Sequence, residues 1–222
     1  EEKIKSAKRS INSTLQCAKS LFSKDAMKMY PDWDVSRAQI LLDSSKYKRV
    51  KKVYRLPSPI LVTKTFNLLK SYENKKPDYY IALALALYFG LRRNEILNAR
   101  RDWVKIVEKG LSIVGVYTER NFLVKSGEDG DASGNTVIAK KILEQSQSFD
   151  YLLSTQSPRT VFDPLLKDLR AIGWDREKPI HECRKLYGSY LASTKSLYHA
   201  QKNLRHASAM TTNDFYTDLM DD

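Results

Sequence analysis

ALYFGLRRNEILNA, residues 86–99, is the stretch where this chain changes character. Upstream of it, Tyr79 to Phe89 reads YYIALALALYF. That segment is apolar on every face, so it belongs deep in a core. The run stops at Gly90 and is followed at once by Arg92, Arg93 and Glu95. A glycine break followed by charge is odd at the end of such a segment, and a second short stretch must explain it.

Composition narrows the class of protein. The 222 residues are 42% hydrophobic and 29% charged, as in ordinary globular domains. The longest apolar run, Ile81 to Leu91, is too short to span a bilayer, and EEKIKSAKRS at the start has no apolar signal region. Cys17 and Cys183 offer neither metal-ligand spacing nor a disulfide framework. A reduced, intracellular protein without metal or cofactor is expected. The net charge of +12 points to a polyanionic partner, nucleic acid ahead of a membrane surface. The excess is uneven: residues 1–56 hold 14 Lys and Arg against 6 Asp and Glu, whereas residues 57–222 hold 24 against 20.

Residues 3–30 read as a helix, with Ile4, Ala7, Ile11, Leu15, Ala18 and Phe22 at spacings of three and four. Pro31 ends it, and Arg37 to Leu42 starts another. KYKRVKKVYR, residues 46–55, alternates cations with Val and Tyr, and Pro57 and Pro59 then mark a boundary. Lys46, Lys48, Arg49, Lys51 and Lys52 are the candidate DNA-backbone contacts there. Thr63 is positioned to cap the next helix and Asp78 the buried one, with a short helix over Glu95–Arg101. WVKIV, LSIVGVY, FLVK and TVIA, between residues 103 and 139, read as short strands, with GEDGDASGN, residues 127–135, as a hairpin tip. From Lys140 the pattern is helical again. The expected fold class is α+β: a mostly helical domain with a small antiparallel sheet over 57–222, preceded by a small helical segment over 1–56.

Three separated boxes answer the question raised by residues 86–99. The first is Gly90-Leu91-Arg92-Arg93-Asn94-Glu95-Ile96. The second is His181-Glu182-Cys183-Arg184, whose outer residues share one helix face. The third is Leu204-Arg205-His206, followed by Thr211-Thr212 and by Tyr216 ten residues after the histidine. In order and spacing these boxes resemble those of the tyrosine recombinases, or phage-type integrases, over roughly residues 57–220.

The chemistry suits this mix. Opening a phosphodiester without a metal requires neutralising two non-bridging oxygens, and planar, permanently charged guanidinium groups do that. A tyrosine hydroxyl stores the bond as a phosphotyrosine, so resealing needs no ATP. The resemblance implies Arg92 and Arg184 as phosphate clamps and Tyr216 as nucleophile. It implies His181 and His206 as hydrogen-bond donors or proton-transfer partners, and Lys125, ahead of the hairpin tip, as the acid for the 5′-oxygen. Glu95 would brace the site, while Arg93 and Arg205 would add contacts to DNA. The implied partner is double-stranded DNA, clamped between the two segments, with four protomers on two duplexes. The implied setting is the cytoplasm of a prokaryotic cell or phage-infected host. A type IB topoisomerase, or a decayed DNA-binding relic, are the alternatives.

Four departures from the family pattern stand out: Lys185 where a histidine is usual, Arg205 in place of glycine, Asn135 at a commonly basic position, and only six residues after Tyr216. The short N-terminal segment reads as a truncated core-binding domain of a longer integrase.

Overall fold

A computed structural model describes residues 2–30, 32, 36, 42–44, 56–107, 111–119, 121–124 and 129–205. The chain divides into two compact units, Glu1–Lys52 and Val53–Asp222. In the first, the expected single helix is two: α1 (Glu2–Ser20) and α2 (Lys24–Met29), the second capped by Ser23. The expected apolar stripe is covered only in its second half, where Leu15 and Ala18 are half-buried. Ile4 and Ile11 are exposed and Asn12 is buried. Lys19 Nζ donates to the carbonyls of Leu42 and Ser44, both at 2.6 Å.

The second unit is built around one helix. It contains α3 (Pro59–Tyr72), α4 (Pro77–Tyr88), α5 (Arg93–Asn98), β1 (Val104–Ile106), β2 (Leu111–Val116) and β3 (Gly130–Asn135). Four more helices follow: α6 (Thr136–Gln145), α7 (Pro158–Ala171), α8 (Pro179–Thr194) and α9 (Leu197–Leu204). Every residue from Ile81 to Ala86 on α4 is fully buried, as the all-round apolar pattern requires. Helices α3, α5, α6, α7 and α8 pack around it. The three strands form an antiparallel sheet in the order β1-β2-β3, with Val104 opposite Val114 and Val114 opposite Ala132. The architecture is thus α+β, as expected. Among the described residues no helix is long and apolar enough to cross a membrane.

Several local expectations are corrected. The cap of α3 is Ser58, whose Oγ accepts the Leu61 N–H at 3.3 Å, with Pro59 beginning the helix; Thr63 lies inside it. Asp78 sits within the first turn of α4, and its carboxylate accepts the Ser154 N–H at 2.9 Å. TVIA is the first turn of α6, because Asn135 Oδ1 accepts the N–H groups of Val137 and Ile138 and caps that helix. Residue 135 thus serves as a helix cap. GDASGN, expected in the hairpin tip, is strand β3. It has almost no apolar side chains because it runs hard against the end of α4: a Cβ on Gly134 would lie 2.4 Å from the Tyr88 carbonyl oxygen and 2.6 Å from the Phe89 ring.

Candidate active site

The site grows from the end of α4. The chain leaves that helix through Gly90 at φ +64°, a conformation natural to glycine. A side chain there would also collide, since a Cβ would stand 2.6 Å from Leu204 Cδ2 and 2.9 Å from Tyr187 Cδ1. The Leu91 N–H closes the turn on the Leu85 carbonyl at 3.1 Å. Arg92 then becomes the N-cap of α5, and Glu95, at the third helical position, reaches back to accept the Arg92 backbone N–H at 2.7 Å. Local helix-start chemistry therefore fixes the Glu95 carboxylate next to Arg92.

That carboxylate collects one cation from its own helix start and two from distant segments. Arg92 Nη1 lies 2.7 Å from Glu95 Oε1. Arg205, at the end of α9, places Nη2 2.6 Å from Oε2, and Arg184, on α8, places Nη1 3.7 Å from the same oxygen. Arg184 also donates to the carbonyl oxygens of Gly90 and Leu204, pinning the α4 turn to the C-terminus of α9. A cation at that helix end is favoured by the carbonyl dipoles. Burial pushes the Glu95 carboxyl up, but the Arg205, Arg184 and Arg92 charges and the Arg92 N–H outweigh it and hold it below the usual carboxylate range. Three guanidinium groups against one carboxylate leave an excess of two positive charges. Arg92 is the most open of the three, its side chain 21% exposed against 2% for Arg184 and 6% for Arg205.

His181 lies one turn before Arg184 on α8. The residue is exposed, yet partial desolvation of its ring, then the Lys185 and Arg184 cations and more weakly Arg92, push its pKa down to about 4, against the pull of Glu182. It is a neutral imidazole at pH 7. Lys185 does not stand alone: its Nζ donates to Glu182 Oε1 at 2.9 Å, and Arg176 pairs with the other oxygen of the same carboxylate.

A polar link ties the sheet to this region. The Ser133 carbonyl accepts from Tyr187 Oη at 2.7 Å and from Asn203 Nδ2 at 3.2 Å, while the Ser133 N–H donates to Asn203 Oδ1 at 2.7 Å. Sequence analysis assigned neither Tyr187 nor Asn203 to the site. A buried tyrosine needs a partner for its hydroxyl, and that requirement was the available signal.

Neither a protein-family model nor any curated protein matches this sequence. Solved structures do. A XerH site-specific recombinase bound to difH superposes with a TM-score of 0.58 at 16% identity, over 77% of this chain and 54% of that one. The Tn1549 transposon integrase in complex with transposon right end DNA gives 0.56 at 16%, over 97% and 75%. A lambda integrase dimer bound to a COC′ core site gives 0.58 at 17%, over 91% and 57%. The fold is that of the tyrosine recombinases. The chain spans little more than half the length of the XerH and lambda integrase chains.

Within this tyrosine recombinase fold the expected residues fall into three groups. Arg92, Glu95 and Arg184 meet, with His181 beside them. Arg93 stays exposed, whereas Arg205 departs from the expectation of an open DNA contact. The Arg93 guanidinium lies 4.7 Å from the centre of the Phe162 ring, and its Nη2 donates to the Pro158 carbonyl at 3.4 Å. Arg205 is turned inward: its Nη2 donates to the buried carboxylate of Glu95, 110 residues away in sequence, although burial disfavours its cation more than Glu95 favours it. Lys125, His206 and Tyr216, with Lys46, Lys48, Arg49, Lys51 and Lys52, lie outside the described residues.

Proposed function

We propose that this chain is a site-specific DNA recombinase that cleaves and rejoins strands through a 3′-phosphotyrosine, with neither metal nor ATP. The observation that carries this reading is the convergence of Arg92 and Arg184 on Glu95, from opposite ends of the second unit. It is supported by a fold shared with recombinases that were solved in complex with DNA.

Arg92 and Arg184 offset the charge that builds on the two non-bridging oxygens as phosphorus becomes pentacoordinate. The Tyr216 hydroxyl oxygen attacks phosphorus in line and gives up its proton to His206. The bond to the 5′-oxygen breaks as the bond to tyrosine forms, and Lys125 gives the leaving oxygen its proton. His181, neutral at pH 7, offers a hydrogen bond without adding a fourth cation. His206 donates to the same phosphate. Attack by a 5′-hydroxyl from a second duplex runs the steps in reverse and conserves the bond energy.

Residues 57–222 form the catalytic domain in this reading, and residues 1–56 with their basic linker add contacts to the DNA backbone. Affinity comes largely from phosphate contacts and falls steeply with salt. The active assembly is four protomers on two duplexes, as in the lambda integrase tetramer bound to a Holliday junction. The reaction takes place in the cytoplasm of a prokaryotic cell or phage-infected host.

The test begins with duplexes selected from a random library for binding to the full chain. A selected duplex, nicked beside the candidate cleavage point, should trap a covalent adduct. Failure to trap one on any bound duplex refutes the reading and favours a binding relic. Relaxation of a plasmid without exchange between two sites would reassign the chain to topoisomerase-like chemistry.

A further inference from the structure

Arg205 holds a backbone conformation that arginine does not favour. It ends α9 at φ +52° and ψ +50°, in the left-handed region. Among the described residues the only other non-glycine residue with positive φ is Asn74, a type that tolerates it. For arginine the conformation costs on the order of 1 kcal/mol, and such strain persists where surrounding contacts over-determine it.

Those contacts are on both halves of the residue. The Arg205 N–H closes the helix on the Lys202 carbonyl at 3.1 Å, and its own carbonyl accepts from Arg92 Nη2 at 3.4 Å. On the side chain, Nη2 reaches Glu95 Oε2 at 2.6 Å and Nη1 donates to the Asn203 carbonyl at 3.1 Å. The aliphatic stem passes over Gly130 so closely that a Cβ there would stand 2.9 Å from Arg205 Cδ. Arg205 thus touches the start of β3, the end of α9, Glu95 and Arg92. Of the charges near Glu95 it opposes the effect of burial most strongly.

We propose that Arg205 is a positioning residue: it fastens the chain leading into His206 to the carboxylate that also holds Arg92, so that the first and third boxes keep a fixed separation. Its effect on cleavage rests on the recombinase reading; its hold on Arg92 does not. Arg205 Nε has no acceptor among the described residues, so direct contact with a phosphate is the competing role to be separated.

The experiment uses the full chain with Arg205→Gly and Arg205→Asn, which accept positive φ but remove the guanidinium, and with Arg205→Lys, which keeps the charge without the planar fork. The first readout needs no DNA. Nitrogen NMR of the Arg92 guanidinium should show its rotation about tenfold faster in the Gly and Asn variants, with Lys intermediate. Unchanged rotation overturns the proposal, whether or not the chain cleaves DNA. The second readout is single-turnover adduct formation on a selected nicked duplex. The Gly variant should be slowed about tenfold or more, with duplex affinity within about threefold and an unaltered salt dependence. A salt slope reduced by about one unit would make Arg205 a phosphate contact and overturn the positioning role. Absence of an adduct with the wild-type chain would refute the recombinase reading, and the Arg92 rotation would still decide the role of Arg205. Should the Gly variant fail to fold, the Asn and Lys variants give the same two readouts.

Discussion

Replacing Glu95 with glutamine removes one charge and almost no volume, which isolates the electrostatics of the cluster. The wild-type carboxylate is 2% exposed and accepts from the Arg92 N–H at 2.7 Å, Arg92 Nη1 at 2.7 Å and Arg205 Nη2 at 2.6 Å, with Arg184 Nη1 at 3.7 Å. Glutamine leaves three guanidinium groups facing a neutral amide whose NH2 is itself a donor. Removing one partner of a buried charge network costs about 3–5 kcal/mol. For a chain of this size that lowers Tm by about 6–20 °C. The pH dependence supplies a second check. Glu95 titrates below the usual carboxylate range when folded, so its contribution is complete above its unfolded pKa, near ~4.3, and is lost as pH falls through the folded value. The stability gap between wild type and Glu95→Gln should therefore be widest at neutral pH and shrink in acid. Urea unfolding between pH 7 and pH 3 measures it. A gap within about 0.5 kcal/mol at pH 7, or one that stays constant down to pH 3, would refute the assignment of Glu95 as the anchor of the three arginines.

Gly90→Ala combines a left-handed φ with a Cβ forced against Leu204 and Tyr187, so it should cost about 2–5 kcal/mol in urea unfolding; a loss under about 1 kcal/mol would contradict the close packing. His181 should titrate near pH 4 by NMR and remain neutral through pH 6. Because its folded pKa is depressed, its contribution to stability is complete above ~6.5 and declines below that; a midpoint above 6 would disprove the desolvated, cationic surroundings. Tyr216→Phe should bind a selected duplex with wild-type affinity and trap no adduct. Arg92→Ala should slow adduct formation by about 100-fold or more, and a wild-type rate would remove Arg92 from the clamp.

Much of the fold was legible as pattern. A segment apolar on every face must be central, and α4 is. A glycine between that segment and charged residues must make a turn, and Gly90 does so at positive φ. The strand β3 was illegible because it is defined by what it lies against: Gly134 is there to clear Tyr88 and Phe89, and a glycine carries no side chain by which to announce a strand. Arg205 misled for a related reason, since an arginine in a basic chain looks like a surface contact until the carboxylate that captures it is known.

Periodicity and the residues within each box are short-range properties, carried by neighbours within a few residues, and they were enough to name most of the helices and the candidate chemistry. Which cation meets which carboxylate depends on closing loops of about a hundred residues, and no local pattern encodes that. Packing α8 and the end of α9 against the Gly90 turn set the distances around Glu95, and it made one carboxylate the common partner of three arginines.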